Sequence, residues 1–475
     1  MSDIDVHFQK NNIGNQVNKI NFKHSNDTPI MKLFAKNREF YVYDAGQNAL
    51  LKIQKKHYTE LQKLNRIGLN AYATQKAEVD EIDDIQCLIK KGYFNYKIVE
   101  EVYHPESSYS QELLEQCVGY LQLQVTQNCN FLCRYCSFAS NVEYTRGHSL
   151  KNMSIETAKK AVDFLYEHSS SVPEIRISFY GGEPLLNFSL IKHTVEYAEK
   201  RFSLKNIRYF ITTNLSILNE SIVDFFIEHK FSLLISFDGS EEIQDKHRRF
   251  QVNGDKTFNR VLRNIVFLKN YDTRYFCEKV RFNSVLFNDE KREDVYSFFE
   301  SLQIPRNKVS ITSADTSGID YRLSHLWKNA ETAELIVMED AFETKELLDN
   351  RTPIHKAWHP NGTCIPGIGR MLIDVYGNIY PCEKVIETTA TCIGNIESGF
   401  NINKVNEIQN IAKLTESECK HCWAMRFCKS CICHCTDAEL NELSYELKRE
   451  HCSNERKRIE RNIYKLIELH QRKEL

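Results

Sequence analysis

The sequence predicts an α/β fold: a central run of strands and helices between a small N-terminal module and a cysteine-rich C-terminal region. Three observations predict it. From Tyr120 to Ala314, six strand-like segments alternate with five helix-like ones, the rhythm of a parallel barrel or open parallel sheet. Ahead of them, residues 31–100 read as a hairpin followed by two helices. Behind them, ten of the sixteen cysteines fall between Cys364 and Cys452. A chain of 475 residues also exceeds one simple core, so several domains are expected.

Residues 1–30 are rich in Asn, Lys and Asp and read as a polar tail. Phe40 and Val42, then Ala49, Leu51 and Ile53, alternate on either side of the turn-forming DAGQN, which gives two paired strands. Tyr58, Leu61 and Leu64 follow at helical spacing. A second helix, within EIDDIQCLIKKGYF, stops at Gly92. Together these make a winged-helix-like module over 31–100. Residues 101–118, containing HPESSYSQE, read as a linker.

The central region spans 119–315. Its strands are YLQLQVT, with Leu121, Leu123 and Val125 on one face, then EIRISFY, IRYFITT, SLLISFDG, KVRFNSVL and KVSITSA. The intervening helices begin with SIETAKKAVDFLYEH, for which Ser154 is the expected N-cap. Residues 316–360 are expected to form a helical bridge, 361–455 the cysteine-rich domain and 456–475 a C-terminal helix.

Bulk properties exclude some classes. A net charge of −2 gives no polyanion a reason to bind. No apolar run reaches membrane-spanning length, and MSDIDVHFQKNNIGNQ has no apolar signal core. A cytoplasmic protein, with neither nucleic-acid nor membrane partner, is expected. In a reducing compartment, sixteen cysteines point to metal binding or catalysis rather than disulfides. Cys87, Cys117 and Cys277 stand alone and are expected to be buried packing residues.

In parallel α/β folds, working residues gather where strands end. Cys129, Cys133 and Cys136 follow the first strand, Gly181–Pro184 the second, Thr212–Asn214 the third and Ser236–Gly239 the fourth. Three cysteines spaced C-x3-C-x2-C leave one iron of a cubane without a protein ligand, open to a substrate or cofactor. Zinc sites favour paired knuckles instead.

This loop, with Tyr135 just before the last cysteine, resembles the signature of the radical S-adenosylmethionine (SAM) superfamily. YGGEPLLN, ITTN, SFDGS and HRRF resemble that superfamily's next segments in order. The resemblance covers about 120–315 and implies a partial (βα)6 TIM-like barrel. It implies a [4Fe–4S] cluster on Cys129, Cys133 and Cys136. It also implies SAM contacts from Tyr135, Gly181, Gly182, Glu183, Pro184, Thr213, Asn214, Ser236, Asp238 and Arg249, with Arg248 as an alternative to Arg249 for pairing a carboxylate.

Cys364-x12-Gly377-x4-Cys382 and the later CKHCWAMRFCKSCICHC resemble the SPASM extension of radical SAM enzymes that modify peptides. That implies two auxiliary [4Fe–4S] clusters. Cys364 and Cys382 would hold the first, with Cys419, Cys422, Cys428 and Cys452 on the second. The pattern slips at one place, where Ile432 stands between Cys431 and Cys433. Cys431 is the first choice as third ligand of the first auxiliary cluster, with Cys433, Cys435 or Cys392 as alternatives. Taken by itself, C-x2-C-x5-C-x2-C would also suit a zinc ribbon.

The N-terminal module resembles the leader-peptide recognition domain of ribosomal-peptide maturases, which capture a leader by strand addition. Its acidic EVDEIDD is the wrong charge for a DNA-reading winged helix. The whole layout resembles a SAM-dependent oxidoreductase that makes Cys-sulfur-to-carbon thioether links in a precursor peptide, with an electron donor such as flavodoxin or ferredoxin. Three other readings stand beside it. One is an anaerobic sulfatase-type maturase forming formylglycine. Another is a carbon–carbon cross-linking or epimerising enzyme. The third, from another class, is a zinc-binding winged-helix nucleic-acid protein.

Overall fold

The computed structural model describes residues 27–77, 84–94, 99–136, 138, 147–287, 290–313, 345–348, 356–360 and 364–472. The expected tail at 1–30 and the helical bridge at 316–360 therefore lie largely outside the described residues.

The N-terminal module is a three-stranded antiparallel sheet, not a two-stranded hairpin. Met31–Lys36 pairs with Glu39–Asp44, which pairs with Ala49–Ile53. MKLFAK escaped sequence reading because its lysines blur the alternation. The two faces of this sheet go to different places, as a period of two requires. Val42 faces a cluster with Leu61, Leu64, Tyr72 and Ile85 from the module's own helices and Phe94 just after the last of them. Tyr41 and Tyr43 face Ile459, Ile463 and Ile467 of the C-terminal helix, with Phe427. Those module helices are Lys55–Ile67, Leu69–Ala77 and Asp84–Lys90.

The expected linker is ordered structure. Pro105–Tyr109 forms a 3-10 turn and Ser110–Gln116 a helix. Glu101–Val102 pairs in parallel with Ala357–Trp358. Its polar residues serve the protein rather than solvent: the His104 amide donates to Asn410 Oδ1 at 2.8 Å and Ser110 Oγ to Gln409 Oε1 at 3.0 Å.

The central strands are Tyr120–Thr126, Glu174–Gly181, Asn206–Thr213, Ser232–Ser236, Val280–Leu286 and Val309–Ser313. All six are parallel and neighbour one another in chain order. Sequential order lacks the reversal of a doubly wound open sheet and is the order in which a barrel winds. The five expected helices are all present, and Ser154 caps the first by accepting from the Thr157 amide at 2.9 Å. Both faces of the first strand are buried: Gln122 and Gln124 are as enclosed as Leu121, Leu123 and Val125. Its alternation marks two different interiors, not core against solvent.

The sheet does not stop at six strands. Met371–Ile373 adds in parallel to the free edge of Tyr120–Thr126, and Asn378–Tyr380, Gly394–Asn395 and Gly399–Phe400 extend it antiparallel. The cysteine-rich region is thus an extension of the central sheet, which is mixed overall. The C-terminal helix runs Tyr445–Gln471, eleven residues earlier than expected, and carries Cys452. No helix breaker separates Tyr445 from Gln471, so the last cysteine lies inside a helix that Ser444 caps.

The lone cysteines are not packing residues: Cys87 and Cys277 are exposed and Cys117 half-buried. Their short helices bury larger neighbours instead, Ile85 in one and Tyr275 and Phe276 in the other.

Candidate active site

The three-cysteine loop leaves the first central strand and returns through Phe131–Cys133, which pairs antiparallel with Arg248–Phe250. That pairing sets Cys133 opposite Arg248. Cys129 is buried, with Cys133 and Cys136 half-buried. The Phe131 amide donates to Cys129 Sγ at 3.4 Å. Burial pushes the Cys129 thiol well up, helped by Glu183, Cys133 and Cys136. Burial pushes Cys133 up to about 12, against the pull of the Arg248 guanidinium. The three sulfur donors thus lie close enough to raise each other's charging cost. Among the described residues, no three His, Cys, Asp or Glu converge on a single-ion site. A cubane spreads its thiolates over separate corners, and the all-sulfur donor set here suits an iron–sulfur cluster.

Gly181 and Gly182 are fixed by that loop. A Cβ on Gly181, whose φ is +139°, would meet the Thr126 carbonyl oxygen at 2.1 Å. One on Gly182 would meet the Asn128 carbonyl oxygen at 2.1 Å. The same contacts carry hydrogen bonds from the Gly182 amide to Thr126 O at 2.9 Å and from the Glu183 amide to Asn128 O at 2.8 Å. The two glycines let the second strand's end lie flat on the backbone leading into Cys129.

Glu183 is buried and its carboxylate is already engaged. Oε2 accepts from the Asn214 amide at 2.7 Å, and Oε1 from Thr213 Oγ1 at 2.7 Å and the Leu185 amide at 3.1 Å. It ties the second strand's turn to the third strand's end. Pro184 opens the 3-10 turn that follows. Asn214 turns its amide to Asn130 Oδ1 at 2.9 Å, and Asn130 in turn donates to Ser216 Oγ at 2.8 Å. Asn130 was missed by sequence reading, since an Asn beside a cysteine carries no motif of its own.

Asp238 is the junction of the fourth strand's end. It accepts from Tyr135 Oη at 2.7 Å, from Arg248 Nε at 2.9 Å and Nη2 at 3.1 Å, and from the Val285 amide at 3.0 Å. The Arg248 guanidinium also lies 5.2 Å from the Tyr135 ring centre. Tyr135, Asp238 and Arg248 therefore form one buried lock beside Cys133. Ser236 stands half-buried two residues before Asp238. The expected Arg249 is not in this lock: it is half-buried, and Arg248 takes the carboxylate. In a strand pair, adjacent residues point to opposite faces, so choosing one Arg of two needs the register.

The comparisons with known proteins agree with this arrangement. Residues 123–302 match the model of the radical SAM superfamily. The central region is a radical SAM domain. This radical SAM protein is 25% identical over 335 residues to the cysteine-type anaerobic sulfatase-maturating enzyme of Clostridium novyi, spanning 64% of this chain and 85% of that one. It is 29% identical over 315 residues to an uncharacterized protein of Methanocaldococcus jannaschii, spanning 65% of this chain and 96% of that one. Its fold is that of native anSMEcpe with bound AdoMet and Cp18Cys peptide, at a TM-score of 0.52 and 21% identity over 74% of this chain and 99% of that chain. A radical SAM domain implies a [4Fe–4S] cluster and SAM, and weighs against the zinc-binding nucleic-acid reading. Among the described residues no helix is long and apolar enough to cross a membrane.

The C-terminal cysteines of this radical SAM protein fall into two groups. Cys419, Cys422, Cys428 and Cys452 line one small cavity together with Glu455 and Arg456. Burial pushes Cys419 up to about 11 and raises Cys422 and Cys428 as well. The second group is Cys364, Cys382 and Cys431. Burial of its sulfur, then the charges of Cys431 and Cys382, push Cys364 up to about 11, although the residue as a whole is exposed. A hydrogen bond from the Cys433 thiol, 3.3 Å away, draws Cys431 down to about 6. Cys435, fully buried, feels both Cys431 and Cys452. The Cys392 thiol donates to Gly394 O at 3.2 Å.

Glu183 gives a pH signature. Burial raises its carboxyl from 4.5 to about 7 against the pull of the Asn214, Thr213 and Leu185 donors and the Arg248 charge. The folded state then holds a proton that the unfolded state releases, so stability falls as pH rises from about 4.5 to about 7. The loss is complete above that window and is on the order of 3 kcal/mol. In metal-free protein, the urea midpoint of wild type is expected to fall relative to that of Glu183→Gln between about pH 5 and 7.5. Parallel pH profiles would show that the carboxyl is ionised throughout.

Proposed function

We propose that this protein is a peptide-modifying radical SAM enzyme that forms Cys-sulfur-to-carbon thioether links in a ribosomally made precursor. The observation that carries the reading is the group of Cys129, Cys133 and Cys136 gathered after the first strand, beside the lock of Tyr135, Asp238 and Arg248. Those three cysteines would hold a [4Fe–4S] cluster through three irons. When bound, cluster and SAM supply a 5′-deoxyadenosyl radical that takes hydrogen from an unactivated carbon. The chain's own residues fix the pocket. Gly181 and Gly182 bring the second strand against the Cys129 loop, Glu183 pins the third strand's end, and Asp238 holds Tyr135 and Arg248 over Cys133.

The two C-terminal groups support auxiliary clusters. Cys364, Cys382 and Cys431 would hold one, and Cys419, Cys422, Cys428 and Cys452 the other. Cys433, beside Cys431, is the nearest further thiol to the first. The N-terminal sheet would take a leader peptide as an added strand beside Ala49–Ile53, the end of its strand order. A flavodoxin or ferredoxin would supply the electron.

A second reading, maturation of a Cys or Ser to formylglycine, is favoured by the likeness to anaerobic sulfatase-maturating enzymes. Co-expression with the cysteine-containing precursor separates the two. A peptide lighter by about two hydrogens per link and resistant to alkylation is the expected result. A hydrazide-reactive aldehyde would overturn thioether formation in favour of formylglycine, and an unchanged precursor would overturn both for that peptide.

A further inference from the structure

Lys448 has no place in the cysteine pattern, yet its side chain is fully buried. Lysine is almost never so enclosed unless paired. The C-terminal helix delivers Lys448, Cys452 and Glu455 at i, i+4 and i+7, on one face. Lys448 Nζ donates to Cys452 Sγ at 3.2 Å. Its charge is also felt at Cys428, Cys419 and Cys435. Glu455 is engaged elsewhere, accepting from the Lys429 amide at 2.9 Å and from Arg458 Nε at 3.0 Å. The anions set against this ammonium are therefore sulfurs.

Four thiolates around a cubane leave the assembly with net negative charge, and reduction adds another electron. In a low-dielectric interior a cation a few ångströms away favours the reduced state. An N–H···S hydrogen bond acts in the same direction by drawing density from the thiolate. We propose that Lys448 is a positioning residue for the cluster on Cys419, Cys422, Cys428 and Cys452, a fixed buried cation that raises its reduction potential. This rests on the proposed reading of those four cysteines as cluster ligands.

The test isolates that cluster. In a chain carrying Cys129→Ala, Cys133→Ala, Cys136→Ala, Cys364→Ala, Cys382→Ala and Cys431→Ala, iron is counted and the remaining cluster is titrated by electron paramagnetic resonance. Lys448→Met removes the charge at similar length, and Lys448→Arg keeps it. The expected result is equal iron in all three, a more negative midpoint for Lys448→Met, and a midpoint near the parent for Lys448→Arg. Iron shed by Lys448→Met but kept by Lys448→Arg also supports a cationic role. An unmoved midpoint, an equal shift in both variants, or iron lost from both overturns it. A parent that folds but holds no iron overturns the cluster reading itself, and the role of Lys448 with it. Should the six-alanine chain not fold, the two Lys448 variants are titrated in the otherwise unaltered protein, where the same midpoint shift decides.

Discussion

Replacing Cys129, Cys133 and Cys136 together with alanine is expected to remove about a third of the iron, one [4Fe–4S] cluster of the three proposed. It should also abolish SAM cleavage. The substitution is small in volume, and the loop is held by contacts that do not use the thiols. Asn130 bonds Ser216 and Asn214, Cys133 pairs through its backbone with Arg248, and Tyr135 bonds Asp238. The metal-free triple variant should therefore unfold near wild type, while anaerobic protein keeps the absorption of the remaining clusters. Iron analysis and SAM turnover check this. Undiminished iron would show that these thiols ligate nothing.

Gly182→Ala is expected to be as damaging to the same chemistry by a different route. The added methyl would lie 2.1 Å from the Asn128 carbonyl oxygen, 2.5 Å from its carbon and 2.9 Å from the Cys129 amide nitrogen. All three are backbone atoms, so no side chain can swing away. Either the second strand's end or the Cys129 loop must move, and the Glu183 amide loses its bond to Asn128. A forced backbone shift in a packed interior costs about 3 kcal/mol or more. Unlike the triple cysteine variant, this one should show both a lowered denaturation midpoint and loss of about one cluster in three. Retention of full iron and wild-type stability would mean that the turn opens without cost.

Much of the fold was legible because two periodicities carried it. The six parallel strands and five helices of the central region stand where alternation and helical spacing put them, within a residue or two at most ends. What was not legible depended on partners far away in sequence. HPESSYSQE looks like a linker because its residues are polar, but those polar groups bond the helix Ile402–Gln409 and the residue after it. Phe131–Cys133 and Arg248–Phe250 are three residues each and become strands only by meeting. The same register decides that Arg248, not Arg249, reaches Asp238. Glu183 was expected to present acceptors to a ligand. Its surroundings instead use both oxygens to join two strand ends, a role that a motif cannot distinguish from binding. Asn130 acts through Asn214 and Ser216, more than eighty residues away. Arg248 and Lys448 have partners close in sequence, Asp238 and Cys452, but neither pairing belongs to a motif that would announce it.

The last helix, Tyr445–Gln471, touches the thiols at one end and the N-terminal sheet at the other. From Lys448 to Ile463 it spans about 22 Å at 1.5 Å per residue. An unbroken rod cannot shorten, so the N-terminal sheet and the sulfur-rich end keep a set separation. For a leader peptide bound there as proposed, this would act as a yardstick: a spacer of fewer than about seven extended residues would not cover the gap.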